Sequence, residues 1–425
     1  MLTIPKPPDP LDQSFFFLDK VDHTEICRII HDHFQRGYYA SRSRYVLSNQ
    51  ENSKFVVINF DKAQRISTVT PVGLTTDELE KIRDDVREKL VENQQEAVGQ
   101  TVLLCGGRFE ARFRYKEDFQ MAPMPAYAPQ MEHAFGEHPY LFQVRYNRGP
   151  DHLTNILRIR KRAFELIPFL NGLSRTRFWL PTKYAIFQWG TLPAGADPRP
   201  KWFQVGYAAG SLEMEETAFD KQSPLIERMS DDQYYRRSAN PSFPLVLADN
   251  FEFLLEQAFS LPQVDFQRLY RACVWLAMAQ QIWRMSASSS FVSIVSALES
   301  LIDKPQKCAE CGQSTTEGNE MCSRCQQPRF RVTQSFKLFL EAHVPSLAER
   351  PEIKNIIYKV RSGLAHGVAD PLRADVTPWM LFEDPEQSYQ EMLQQELMDC
   401  TSEAIVNWLL SRCSRAGEPV AERGG

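Results

Sequence analysis

Residues 288–303 place Phe291, Ile294, Val295, Leu298, Leu301 and Ile302 at i, i+3, i+4, i+7, i+10 and i+11. That is one apolar face at the period of an α-helix. Ile353, Ile356, Ile357, Val360 and Leu364 repeat the pattern over 351–366. Amphipathic segments at 250–260, 264–286, 332–343 and 385–412 predict four more helices. Before residue 240 the pattern is different. Residues 54–60 (KFVVINF), 101–105 (TVLLC) and 140–146 (YLFQVRY) are short and rich in β-branched or aromatic residues, which predicts strands. Residues 178–210 return to strand-like composition, broken by the loop LPAGADPRP at 192–200. Residues 76–97 predict a charged helix, with Thr75 and Glu78 spaced as a capping box at its start. Prolines 123, 125 and 129 predict an irregular loop, and ANPSFP at 239–244 reads as a linker.

The expected fold class is therefore α+β. A mixed α/β region over 1–243 carries a possible sensor or regulatory role, and an all-α helical region covers 244–425. The 425-residue length is that of two domains or more. Hydrophobic residues at 43% and charged residues at 24% exclude a largely disordered chain. No run of 18 apolar residues is present, so no membrane span is expected. The start MLTIPKPPDPLDQ has no basic segment followed by an apolar one, so no secretory signal is expected. The formal charge of −5 requires any nucleic-acid contact to use a local basic patch.

Nine cysteines, an odd number in a long chain, argue against a disulfide framework and for a reducing cytoplasm. Four of them form CAECGQSTTEGNEMCSRC over 308–325: Cys308-x2-Cys311, ten residues, then Cys322-x2-Cys325. Two such turns aim four thiolates at one point and predict one zinc ion per chain. With every position filled by sulfur, the site is expected to be structural, a staple for a small insertion at 305–328. A sharper alternative is RNA contact, since 321–340 holds Arg324, Arg329, Arg331 and Lys337 and no acidic residue.

Residues 358–367 read YKVRSGLAHG. Histidine moves protons near neutral pH, and arginine grips phosphate in two-point geometry. Arg361 and His366 together could cleave RNA without a metal, yet R-x4-H alone is a common pattern. The bland reading is a surface arginine and a helix-terminal histidine. The wider context is more specific. With the upstream FVSIVSALESLID, the stretch IIYKVRSGLAHG resembles the HEPN superfamily, and in particular its Apea-like domains. The resemblance covers about residues 246–412. It implies an all-helical bundle and a metal-independent endoribonuclease whose paired motifs meet across a homodimer interface in the helical domain. It also implies use in bacterial anti-phage defence (abortive infection), with a phage-derived trigger acting on the N-terminal region. Carried over residue by residue, Arg361 and His366 match the motif. Ser362 fills the polar position after the arginine, and Glu299 matches an acidic position that could orient Arg361. The four-cysteine insertion departs from the minimal bundle. From another class comes the alternative of a non-catalytic dimerisation module that binds nucleic acid or a protein through its zinc region.

Two further patterns stand out. His23, Cys27 and His31 share one helical face, as a metal site or an ordinary amphipathic helix would. Residues 145–177 carry eight basic residues against two acidic ones, a local +6 that suits an RNA backbone, an acidic partner or a solvated face. No P-loop, HExxH, GxSxG or EF-hand pattern is present.

Overall fold

In the computed structural model, the described residues are 22–62, 65–92, 95–107, 110–124, 138–180, 186–190, 201–205, 217–236, 245–283, 285–303, 322, 324–326, 332–347, 350–365, 370–376 and 385–416. The expected linker at 239–244 and the loop at 192–200 lie outside them. The architecture is mixed α+β, with sheets in the N-terminal part and helices in the C-terminal part. Two compact units interleave along the sequence. The first comprises Met1–Gln100, Val144–Arg162 and Glu213–Phe219, and the second Thr101–Gln143, Ala163–Leu212 and Asp220–Gly425. The units therefore do not follow the change of composition near residue 244. Strand pairing joins segments far apart in sequence, which a composition shift cannot report.

The first unit begins with α1 (His23–Asp32), capped by the Asp22 carboxylate on the Thr24 amide at 2.8 Å. A four-stranded antiparallel meander follows: β1 (Arg36–Ser41), β2 (Arg44–Ser48), β3 (Phe55–Phe60) and β4 (Ile66–Val72). Helix α2 (Thr76–Val86) starts at the expected capping box: Thr75 Oγ1 accepts from the Glu78 amide and the Glu78 carboxylate accepts from the Thr75 amide. A π-helical turn extends it over Arg87–Glu92, and from Glu96 the chain is already strand. The expected helix over 76–97 is thus shorter by its last residues. Ile26, Ile29 and Ile30 of α1 and Ile82 and Val86 of α2 pack with Leu47, Val56 and Ile58 of the sheet. Alternation along each strand puts one set of side chains on that core and the other set on the opposite face.

A five-stranded sheet follows, in the order β6-β7-β8-β5-β9. Its strands are β5 (Glu96–Cys105), β6 (Phe113–Tyr115), β7 (Phe119–Pro123), β8 (His138–Asn147) and β9 (Phe178–Trp179). Between β8 and β9 runs α3 (His152–Leu173), a helix that the run of basic residues disguises in the sequence. Ile159, Ala163, Leu166, Leu170 and Leu173 supply its buried stripe. Four short strands follow: β10 (Ile186–Gly190) with β11 (Lys201–Val205), and β12 (Arg228–Met229) with β13 (Leu247–Ala248). Helix α4 (Asp231–Arg236) lies between β12 and β13.

The remaining helices are α5 (Phe251–Ser260), α6 (Gln263–Ile282), α7 (Ala287–Leu301), α8 (Val332–His343), α9 (Pro351–Ala365), α10 (Arg373–Val376) and α11 (Pro385–Ala416). Phe113 meets Phe251 edge-on, with ring centroids 5.4 Å apart, and fastens the sheet to α5. A Cβ at Gly172 would collide with Cys273, so the glycine lets α3 lie close against α6. The bundle core contains Leu276, Phe291, Ile294, Leu298, Phe336, Leu340, Ile357, Leu397, Ile405 and Trp408, all nearly inaccessible. No helix among the described residues is long and apolar enough to cross a membrane.

Candidate functional site

Helix α7 is pinned at its start by a residue from another helix. The Asp375 carboxylate accepts from the Ala287 amide at 2.6 Å and the Ser288 amide at 2.9 Å, two of the first-turn donors that a helix leaves open. Ser286 caps the same turn locally. With that end fixed and its apolar stripe buried, α7 presents Glu299 in its last turn. Helix α9 buries Ile357 and presents Arg361 near its C-terminal end.

The two side chains meet. Arg361 Nη2 donates to Glu299 Oε2 at 3.0 Å, with 21% of the arginine and 23% of the glutamate side chain accessible. Glu299 Oε1 and Arg361 Nε are buried and find no hydrogen-bond partner among the described residues. A carboxylate holding one nitrogen of a guanidinium fixes the plane of the fork and leaves donors for a second anion. Ser362 is half-buried on the same turn of α9. His366 lies outside the described residues.

Of the four motif cysteines, Cys308 and Cys311 also lie outside them. Cys322 is buried and Cys325 half-buried. The Gln326 amide donates to the Cys322 carbonyl at 2.9 Å, and Gln326 has a φ of 55°. A left-handed residue directly after a C-x2-C pair turns the backbone under its sulfurs. Among the described residues no group of three or more His, Cys, Asp and Glu is placed to hold a metal ion.

On α1, His23 Nδ1 accepts from the Ile66 amide at 2.6 Å, and Cys27 packs against the apolar core. Burial, with a smaller contribution from Asp22, pushes the Cys27 thiol up to about 12. These contacts are those of an ordinary amphipathic helix.

Four of the eight basic residues over 145–177 are paired with acid. Arg145 pairs with Glu96, Arg158 with Glu25, Lys161 with Asp22 and Arg175 with Asp399. Arg177 stacks on Trp179 at 4.2 Å. Its sequence charge therefore overstates its free positive field.

A pocket of about 1040 Å³ opens along α11, lined among others by Arg175, Arg350, Glu396, Asp399, Cys400 and Glu403. Several of its polar groups engage one another: Arg175 with Asp399, Arg350 with Glu396, and Ser346 Oγ with Glu403 at 2.5 Å. Burial and the carboxylates of Glu396 and Glu403 push the Cys400 thiol up to about 12. Neither Arg361 nor Glu299 lines this pocket.

Compared with models of protein families, with curated proteins and with solved structures, the chain matches none.

Proposed function

We propose that the protein is a metal-independent endoribonuclease of the HEPN type, with Arg361 and His366 as its working pair and Glu299 positioning the arginine. The observation that carries this reading is the Glu299–Arg361 contact, which brings two positions 62 residues apart together in one half-buried spot. In the reaction, the ribose 2′-oxygen forms a bond to the adjacent phosphorus and the bond from phosphorus to the 5′-oxygen breaks. One His366 takes the 2′-OH proton, and its counterpart from a second copy gives a proton to the leaving oxygen. Arg361 holds the phosphate and its developing charge. Ser362 is a supporting polar contact beside it. The two-copy site calls for a homodimer through the helical domain. Zinc bound by Cys308, Cys311, Cys322 and Cys325 holds the insertion and takes no part in the chemistry. The defence role, the phage-derived trigger and the cytoplasmic setting rest on the resemblance and the cysteine usage.

Incubating the full chain with total RNA and mapping fragment ends tests the proposal. The expected ends are 2′,3′-cyclic phosphate and 5′-OH, lost in His366→Ala with an unchanged thermal melt. Loss of fold together with activity would make His366 structural. Fragments with 5′-phosphates, or activity restored only by Mg²⁺, would overturn the mechanism. A strong chelator is the wrong control, because stripping structural zinc could unfold the insertion. Light scattering should report about twice 49.1 kDa.

The same contact favours a second reading, a non-catalytic dimerisation module. A half-buried ion pair between α7 and α9 also fixes the bundle. Arg361→Ala that lowers the melt in a protein with no RNA cleavage would select this reading.

A further inference from the structure

We propose that the β1–β2 hairpin of the first unit is a binding surface for single-stranded nucleic acid. Residues 33–50 contain Arg36, Arg42 and Arg44 and no acidic residue. The side chains of the three arginines make no hydrogen bond or ion pair with a described residue; Arg36 and Arg42 are exposed, and Arg44 is half-buried with its Nε shielded and unpaired. Asp61, which follows β3, is engaged by Arg65. The contrast with the 145–177 stretch decides the choice. There half of the basic side chains are paired with acid, whereas here three arginine side chains, two of them exposed and Arg44 half-buried, have no acidic partner among the described residues.

Aromatic rings are set among these charges. β1 is an edge strand of the four-stranded sheet and is exposed at every position. Register pairs Arg36 with Ser48, Tyr38 with Val46 and Arg44 with Asn59. Alternation then puts Arg36, Tyr38 and Arg44 on one face, so an exposed ring lies between two arginines. Tyr38 is 41% accessible. On the other face Tyr39, at 69% accessible, leans on Tyr45, with ring centroids 4.7 Å apart. A Cβ at Gly37 would collide with Tyr45 Oη, so the glycine makes room for that ring across β1. An irregularity of register between Tyr39 and Ser41 ends the regular pairing where Arg42 enters the turn.

Guanidinium forks flanking an exposed ring suit a flexible strand whose phosphates meet arginine and whose unstacked base lies on tyrosine. A duplex hides its base faces, and an acidic peptide would leave Tyr38 without a matching group. RNA and single-stranded DNA share the required chemistry. The inference does not rest on the ribonuclease reading.

Fluorescence anisotropy on the full chain tests it, with labelled oligo-thymidine and 2′-O-methyl oligo-uridine, neither of which can undergo 2′-OH attack. Both should bind at low salt, more tightly than a duplex of the same length. A preference for either single strand identifies the source and supports the shared chemistry. The triple variant Arg36→Gln, Arg42→Gln, Arg44→Gln should reduce the slope of log affinity against log salt by about 2. Tyr38→Ala should weaken binding about tenfold, and Tyr38→Phe should restore it. Arg36, Arg42 and Tyr38 are exposed and Arg44 is half-buried, and a thermal melt confirms that each variant folds. Three results would overturn the proposal: no binding of either single strand, an unchanged salt slope in the triple variant, or tighter binding of the duplex. The first would leave a polypeptide strand as the occupant of the β1 edge. Binding without cleavage of ordinary RNA would sink the ribonuclease reading alone, and cleavage without hairpin-dependent binding would sink this one alone.

Discussion

Arg361 donates to Glu299 across 3.0 Å, from the end of α9 to the last turn of α7, with about a fifth of each side chain in solvent. Removing one member strands the other's charge in a half-buried place, whereas removing both does not. Glu299→Ala and Arg361→Ala should each cost about 1–3 kcal/mol in urea unfolding, and the double variant less than their sum. Strict additivity would show that the contact contributes nothing to the bundle.

Asp375 and α7 give a second test. The carboxylate satisfies two amides of the first turn from outside the helix. Asp375→Ala should lower stability by about 1–2 kcal/mol, with Asp375→Asn in between. An unmoved denaturation midpoint would mean that Ser286 suffices as the cap.

Purified protein should contain one zinc per chain by elemental analysis, and Cys322→Ser should lose it. After Cys322 and Cys325 the backbone turns at Gln326, which has a φ of 55°. A full equivalent of zinc retained after Cys322 and Cys325 are both replaced would place the metal elsewhere.

The Arg28 guanidinium beside Asp151, with the Thr154 amide, holds the Asp151 carboxyl down to about 2. A folded-state pKa below the unfolded value means stability that is present above the unfolded pKa and lost as pH falls through the folded one. Asp151→Asn should therefore flatten the decline in urea midpoint between about pH 5 and pH 2. Identical acid limbs for the two proteins would contradict the assignment.

Much of the helical part was legible in the sequence, because packing there follows one local period. The stripes over 288–303 and 351–366 correspond to α7 and α9, and the expected 332–343 is α8. Thr75 and Glu78 form their capping box because its geometry is settled within four residues. Helix α3 was harder to read. Arg158, Arg160, Lys161 and Arg162 mask an apolar stripe with charge, and Pro168 interrupts it.

What the sequence by itself determined was therefore local: element types, a capping box, the cysteine spacing, and an Arg–His motif with an acidic residue upstream. Only the tertiary structure decided which charges are cancelled. Whether an arginine is free depends on where chain 100 or more residues away comes to lie, as with Arg158 against Glu25, and no local period encodes that. The same is true of Asp375 reaching back to α7 and of Glu299 meeting Arg361. The hairpin at 36–44 left a weak trace, an acid-free run with three arginines and three tyrosines between residues 33 and 50. Its meaning emerged only once β1 proved to be an edge strand, because an edge keeps both its side chains and its backbone open to a partner.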